Sequence, residues 1–159
     1  MRFAKPRPRV FRMWLASALA VAAACDHPIA VVTPHAEIAD IVLVDSISTG
    51  ELARTNDNRT WSGGPLTLCD GTTRTLTARA IDFRGQPVEL ASRRDLDLRA
   101  ESEEPLVSWE PLQGRGRLTG LAVGRTRVRF LVWHETHADM VTPWLDIHVT
   151  SAASCADAR

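Results

Sequence analysis

Hydrophobic and polar residues alternate along most of this chain with a period of two. In Arg74–Asp82, Leu76, Ala78 and Ala80 fall on one face, and Thr75, Thr77 and Arg79 on the other. In Asp95–Ala100, Leu96, Leu98 and Ala100 oppose Asp97 and Arg99. In Arg127–Trp133, Val128, Phe130 and Val132 oppose Arg127 and Arg129, and in Trp144–Thr150, Leu145, Ile147 and Val149 oppose Asp146 and His148. Successive side chains of a strand point to opposite faces, so each segment predicts a strand with one face on a core and the other in water. Ala39–Asp45 is a further β-rich run, with Glu51–Arg54 as its hairpin partner after Gly50. Asn56-Asp57-Asn58, Gly63-Gly64-Pro65 and Asp70-Gly71 read as turns, the last of them following Leu66–Cys69. No segment beyond residue 36 carries a 3.6-residue stripe, so no helix is expected there. Roughly seven to nine short strands in about 110 residues predict an all-β fold, an antiparallel β-sandwich over residues 37–150 with 151–159 as a tail.

The first 24 residues break this pattern. Arg2, Lys5, Arg7, Arg9 and Arg12 precede Met13–Ala24, which is apolar apart from Ser17. Twelve residues of helix span about 18 Å, short of a ~30 Å hydrocarbon core. A basic start, a short apolar stretch and small residues predict a secretory signal peptide over 1–24. The junction Val21-Ala22-Ala23-Ala24-Cys25 resembles the lipobox of bacterial lipoproteins, with Ala22 where a large aliphatic residue is usual. That resemblance implies a lipidated Cys25 and a tether over 25–36 containing Pro28 and Pro34. It also implies a lipid-anchored location in the bacterial cell envelope, periplasmic or surface-facing, with the membrane as a partner. Ordinary signal cleavage near Ala24, leaving Cys25 incidental, is the alternative.

Charge changes the picture once the leader is set apart. The 159 residues balance 19 Lys and Arg against 19 Asp and Glu, but the 135 residues after position 24 carry 14 cations and 19 acids, a net of −5. Nucleic-acid binding needs a cationic footprint that displaces counterions, so a nucleic-acid partner is not expected. Of the three cysteines, assigning Cys25 to lipid leaves Cys69 and Cys155. An even pair in an oxidising compartment predicts a disulfide that ties the tail to the body; two partly buried thiols are the alternative.

Leu76-Thr77-Ala78-Arg79-Ala80-Ile81-Asp82-Phe83-Arg84-Gly85-Gln86-Pro87-Val88 resembles the strand and turn of bacterial Ig-like domains of the group 2 type. Ser102-Glu103-Glu104-Pro105-Leu106-Val107 lies where that family has a serine-rich turn before a valine strand. Arg117-Leu118-Thr119-Gly120-Leu121-Ala122-Val123-Gly124-Arg125-Thr126 is similar to its strand, Gly turn and second Gly before the penultimate strand. The resemblance covers about residues 72–150 and implies an Ig-like sandwich of the kind used as spacers, adhesins and binding modules. Gly120 and Gly124 are expected to supply turns with φ > 0.

Candidate chemistry centres on Trp133-His134-Glu135-Thr136-His137-Ala138-Asp139-Met140. Imidazoles and carboxylates at this density supply ligands for Zn²⁺ or Cu²⁺, with His134, His137 and Asp139 as candidates and His148 as a further one. On one straight strand His134 and His137 point apart, so convergence requires a turn between them. The alternative is a polar loop with no metal cofactor, whose histidines are solvated or pair with Glu135 and Asp139. Acids at Asp95/Asp97 and Glu101/Glu103/Glu104 invite a Ca²⁺ reading, but they lie on one segment, and the ion draws six to eight oxygens from several. No serine has the Gly-x-Ser-x-Gly setting, and a non-catalytic protein is expected. Trp109 is expected in the core between sheets. Trp133 and Trp144 are placed by alternation on the outer face, as a candidate patch for an envelope protein or a glycan, unless residues 37–71 cover them.

Overall fold

The computed structural model describes residues 37–156; the signal peptide, Cys25 and the tether predicted before them lie outside the described residues. Twelve strands follow in order: β1 Ile38–Asp45, β2 Glu51–Asn56, β3 Thr60–Gly63, β4 Leu66–Cys69, β5 Thr73–Asp82, β6 Pro87–Glu89, β7 Leu96–Ser102, β8 Val107–Leu112, β9 Arg115–Gly120, β10 Gly124–His134, β11 His137–Val141 and β12 Leu145–Thr150. A 3-10 turn, Leu90–Ser92, separates β6 from β7, and a short helix, α1, spans Ala152–Ala156.

The strands form two sheets of an all-β sandwich. The first runs β3-β2-β1-β5-β9-β8, with β6 also paired to β5. The second runs β11-β10-β12-β4, with β7 along the other edge of β10. Each sheet is organised by one long strand that changes partner along its length. β5 pairs with β9 over Thr73–Thr77 and with β6 over Arg79–Ile81, while β1 lines its other edge. β10 pairs with β12 over Gly124–Val128 and with β11 over Leu131–His134. Between them Thr142 substitutes for a strand: its hydroxyl accepts from the Phe130 N–H at 2.8 Å, and its own N–H donates to the Phe130 carbonyl at 2.9 Å.

The core is built from the inward faces that alternation predicts. Leu76, Ala78 and Ala80 of β5, Leu96 and Leu98 of β7, Val128, Phe130 and Val132 of β10 and Leu145, Ile147 and Val149 of β12 are all buried. Phe130 sits at its centre, with Trp109 edge-on at 5.5 Å and Trp61 edge-on at 6.2 Å between ring centroids. Trp109 is thus the core tryptophan expected from the sequence, and its indole N–H donates to the Leu98 carbonyl at 3.3 Å. Trp61 closes the opposite flank, donating to the Pro143 carbonyl at 2.8 Å.

Several sequence expectations are corrected here. The sandwich is not wholly antiparallel, because β4 runs parallel to β12, pairing Cys69 with Thr150. More strands form than alternation predicts, since β3 and β6 are too short to show a period and β11 is the polar segment read as a loop. The tail holds a short helix, α1, where none was expected, while Cys155 bonds Cys69 as expected, with Cα atoms 6.0 Å apart. Gly120 is glycine for closeness and not for φ > 0, because a Cβ there would lie 2.8 Å from the Cys69 carbonyl oxygen. Gly124, which opens β10, does have the positive φ expected of it, 159°, and a Cβ there would also meet Leu106 Cδ1 at 2.8 Å.

Candidate functional site

The β10–β11 hairpin brings together most of the residues singled out for metal chemistry. Glu135 and Thr136 make a two-residue loop, with Glu135 in the left-handed region at φ 48°. This tight reversal sets His134 directly opposite His137. Residues opposite each other on paired strands share a face, so the turn aligns two side chains that a straight strand would send apart. Their rings meet edge to face, with centroids 5.8 Å apart.

A bulge adds the third group. Trp133 faces Ala138 and Val132 faces Met140, which leaves Asp139 as the extra residue of β11. An extra residue re-aims the side chains around it, and here the Asp139 side chain is only 2 % exposed. Its Oδ1 lies 3.0 Å from His137 Nε2 and its Oδ2 lies 3.6 Å from His134 Nδ1. The His134 side chain is buried, whereas that of His137 is 49 % exposed and opens the cluster to solvent. One donor atom from each of the three residues can be chosen so that all lie within 4.8 Å of one another.

Behind His134 stands a second carboxylate, Asp95, which in the sequence is one of the acids weighed for Ca²⁺. Asp95 Oδ2 lies 3.9 Å from His134 Nε2. The guanidinium of Arg93 grips Asp95 through two bonds, at 2.9 and 2.6 Å, and holds its carboxyl down to about 2, against the cost of burial. The Arg93 carbonyl in turn accepts from Gln113 Nε2 at 2.8 Å. The only hint of this arrangement in the sequence is Asp95 immediately before Leu96, and the register that pairs Leu96 with His134 comes from the sheet.

His148 does not join the cluster. It pairs with Arg125 of β10, nine residues before His134 and so about 30 Å along the strand at ~3.3 Å per residue. There it lines a separate depression of 220 Å³ with Glu103, Arg125, Arg127 and Asp146.

The outer face of the second sheet differs from a bare aromatic patch. Trp133 and Trp144 are both half-buried, and each lies under arginine. Arg99 covers Trp133 at 4.1 Å, and Arg129 and Arg127 cover Trp144 at 4.9 and 5.6 Å. Residues 59–65 also lie beside Trp144: Arg59, Trp61 and Pro65 line a cleft of 360 Å³ with it. The exposed acids Glu101 and Glu103 pair with the same arginines: Glu101 with Arg129 and Glu103 with Arg127, each through a 2.7 Å bond. A charged lattice over tryptophan results, in which the carboxylates of Glu101 and Glu103 are already engaged by cations.

No protein-family model matches the chain, and no curated protein matches it. Among solved structures, domains 4 and 5 of the S-layer protein SbsC are similar, at 11 % identity over 69 % of this chain and 76 % of that one, with a TM-score of 0.37.

Proposed function

We propose that this chain is an exported, lipid-anchored and non-catalytic β-sandwich module of the bacterial cell envelope. The observation that carries the reading is the Cys69–Cys155 pair. Disulfides persist in oxidising compartments outside the cytosol, and this pairing leaves Cys25 as the odd cysteine, at the lipobox-like junction. A basic leader, a short apolar stretch and a cysteine after small residues support the same location. Among the described residues no helix is long and apolar enough to cross a membrane, and in this reading the acyl chains on Cys25 supply the attachment. More than one chain is needed for durable anchoring. The working surface is the arginine-covered tryptophan face around Trp144, where a planar ring, guanidinium groups and Asp146 offer stacking and hydrogen bonds to an envelope glycan or protein.

The test is to express the full chain in a bacterium with radiolabelled palmitate and to fractionate the cells. The wild-type protein is expected to carry label and to partition with detergent, and Cys25→Ser to lose both properties. An unlabelled wild-type protein in the soluble fraction would overturn the anchoring.

A further inference from the structure

We infer that His134, His137 and Asp139 form a mononuclear site for a borderline divalent transition metal, Zn²⁺ in the first instance, with Asp95 as the positioning carboxylate behind His134. Two imidazole nitrogens and one carboxylate oxygen suit Zn²⁺ and its neighbours, and not the all-oxygen preference of Ca²⁺ or Mg²⁺. A tetrahedral ion with bonds of about 2.0–2.2 Å places its ligand atoms roughly 3.3–3.5 Å apart. Different Asp139 oxygens stand 3.0 and 3.6 Å from the two imidazoles, and with one donor atom per residue the set lies within 4.8 Å, so it must draw closer to hold the ion. The remaining adjustment falls on His137, whose side chain is half exposed and closes by ring rotation.

Three features make this a built site and not a chance meeting of polar side chains. The two-residue turn and the bulge both bring donors towards one another, and bulges gather where a side chain must be re-aimed. The Asp139 carboxylate is held out of water at 2 % exposure between two imidazoles, where a cation between the three groups offsets its desolvation. Metal-bound histidines commonly carry a carboxylate on their far nitrogen, which fixes ring orientation and raises ligand basicity. Asp95, clamped by Arg93, stands on that side of His134. Three protein ligands leave a fourth position on the exposed side of His137, open to water or to an exogenous ligand.

The inference stands apart from the anchoring reading, since the site lies wholly within the sandwich. The full-length protein, purified in detergent and stripped with EDTA, is titrated with Zn²⁺ by calorimetry and with Co²⁺ by visible absorption. One ion per chain is expected, with Co²⁺ bands of a four-coordinate ion. His137→Ala and Asp139→Asn are each expected to weaken Zn²⁺ binding at least 10-fold, and His148→Ala to leave it unchanged. His137 is the decisive position, because its exposed side chain can be removed without opening the core. Asp95→Asn is expected to weaken binding by about 10- to 100-fold at unchanged stoichiometry, and Asp95→Glu to restore most of it. A folded wild-type protein that takes up no stoichiometric ion, or Zn²⁺ binding undiminished by His137→Ala, overturns the site.

Discussion

Gly116 lies beneath the indole of Trp109, so close that a Cβ at position 116 would overlap ring atoms Cζ2, Cε2 and Cη2. The absence of a side chain on β9 is what lets Trp109 lie over its neighbour and reach the edge of Phe130, 5.5 Å away between centroids. Gly116→Ala is therefore expected to push Trp109 off Phe130. Overpacking of this kind costs typically 1–3 kcal/mol, read as a lowered urea midpoint together with a red-shifted tryptophan emission. An unchanged midpoint would mean that the ring has another place to sit.

The disulfide closes a loop spanning most of the sandwich, since its cysteines are 86 positions apart. For a loop of that length the chain-entropy model gives roughly 4–5 kcal/mol of stabilisation. The Cys69→Ala/Cys155→Ala double variant is expected to unfold at markedly lower denaturant and to release α1, so that the tail becomes sensitive to protease. Equal stability of reduced and oxidised protein would contradict this.

Asp45 accepts from the Ile47 and Ser48 N–H groups and from Arg74 Nε, which together hold its carboxyl down to about 2. The Ser48 bond contributes most, followed by Arg74. A carboxyl depressed in the folded state stabilises it above its unfolded value, and that stability is lost as the pH falls from about 4 towards 2, here about 2 kcal/mol for Asp45. Asp95 adds a contribution of the same sign through Arg93. Acid unfolding followed by circular dichroism is expected to fall in this window. Arg74→Leu should raise its midpoint, because Asp45 then protonates at higher pH.

Thr142 is buried and completes the ladder at Phe130 where β11 has ended and β12 has not begun. Thr142→Val keeps the shape but leaves the Phe130 N–H without its acceptor. A buried donor stripped of its partner costs about 1–3 kcal/mol, and thermal unfolding should show it. Thr142→Ser, which keeps the hydroxyl, should recover much of the loss.

The long strands were legible because each buries one face. Leu76, Ala78 and Ala80, or Val128, Phe130 and Val132, announce an inward side by period two alone, and all six are buried. The short strands were not. β3 and β6 hold four and three residues, too few for a period, and their strand character comes from hydrogen bonds to β2 and β5. β11 was hidden for another reason: its bulge puts Asp139 and Met140 out of strict alternation.

The sequence by itself determined that residues 37–150 would form a layered all-β fold with Trp109 between its sheets, and it marked His134, His137 and Asp139 as chemistry within six positions. Patterning is local, and local order suffices to choose a face. Only the tertiary structure decided which residues meet across strands. The hairpin turn set His134 against His137, the β7–β10 register brought Asp95 behind them, and the β10–β12 register carried His148 to the far end of the strand. The arginines that cover Trp133 and Trp144 were equally beyond reach, because register is a property of paired strands and one strand's residues do not specify it.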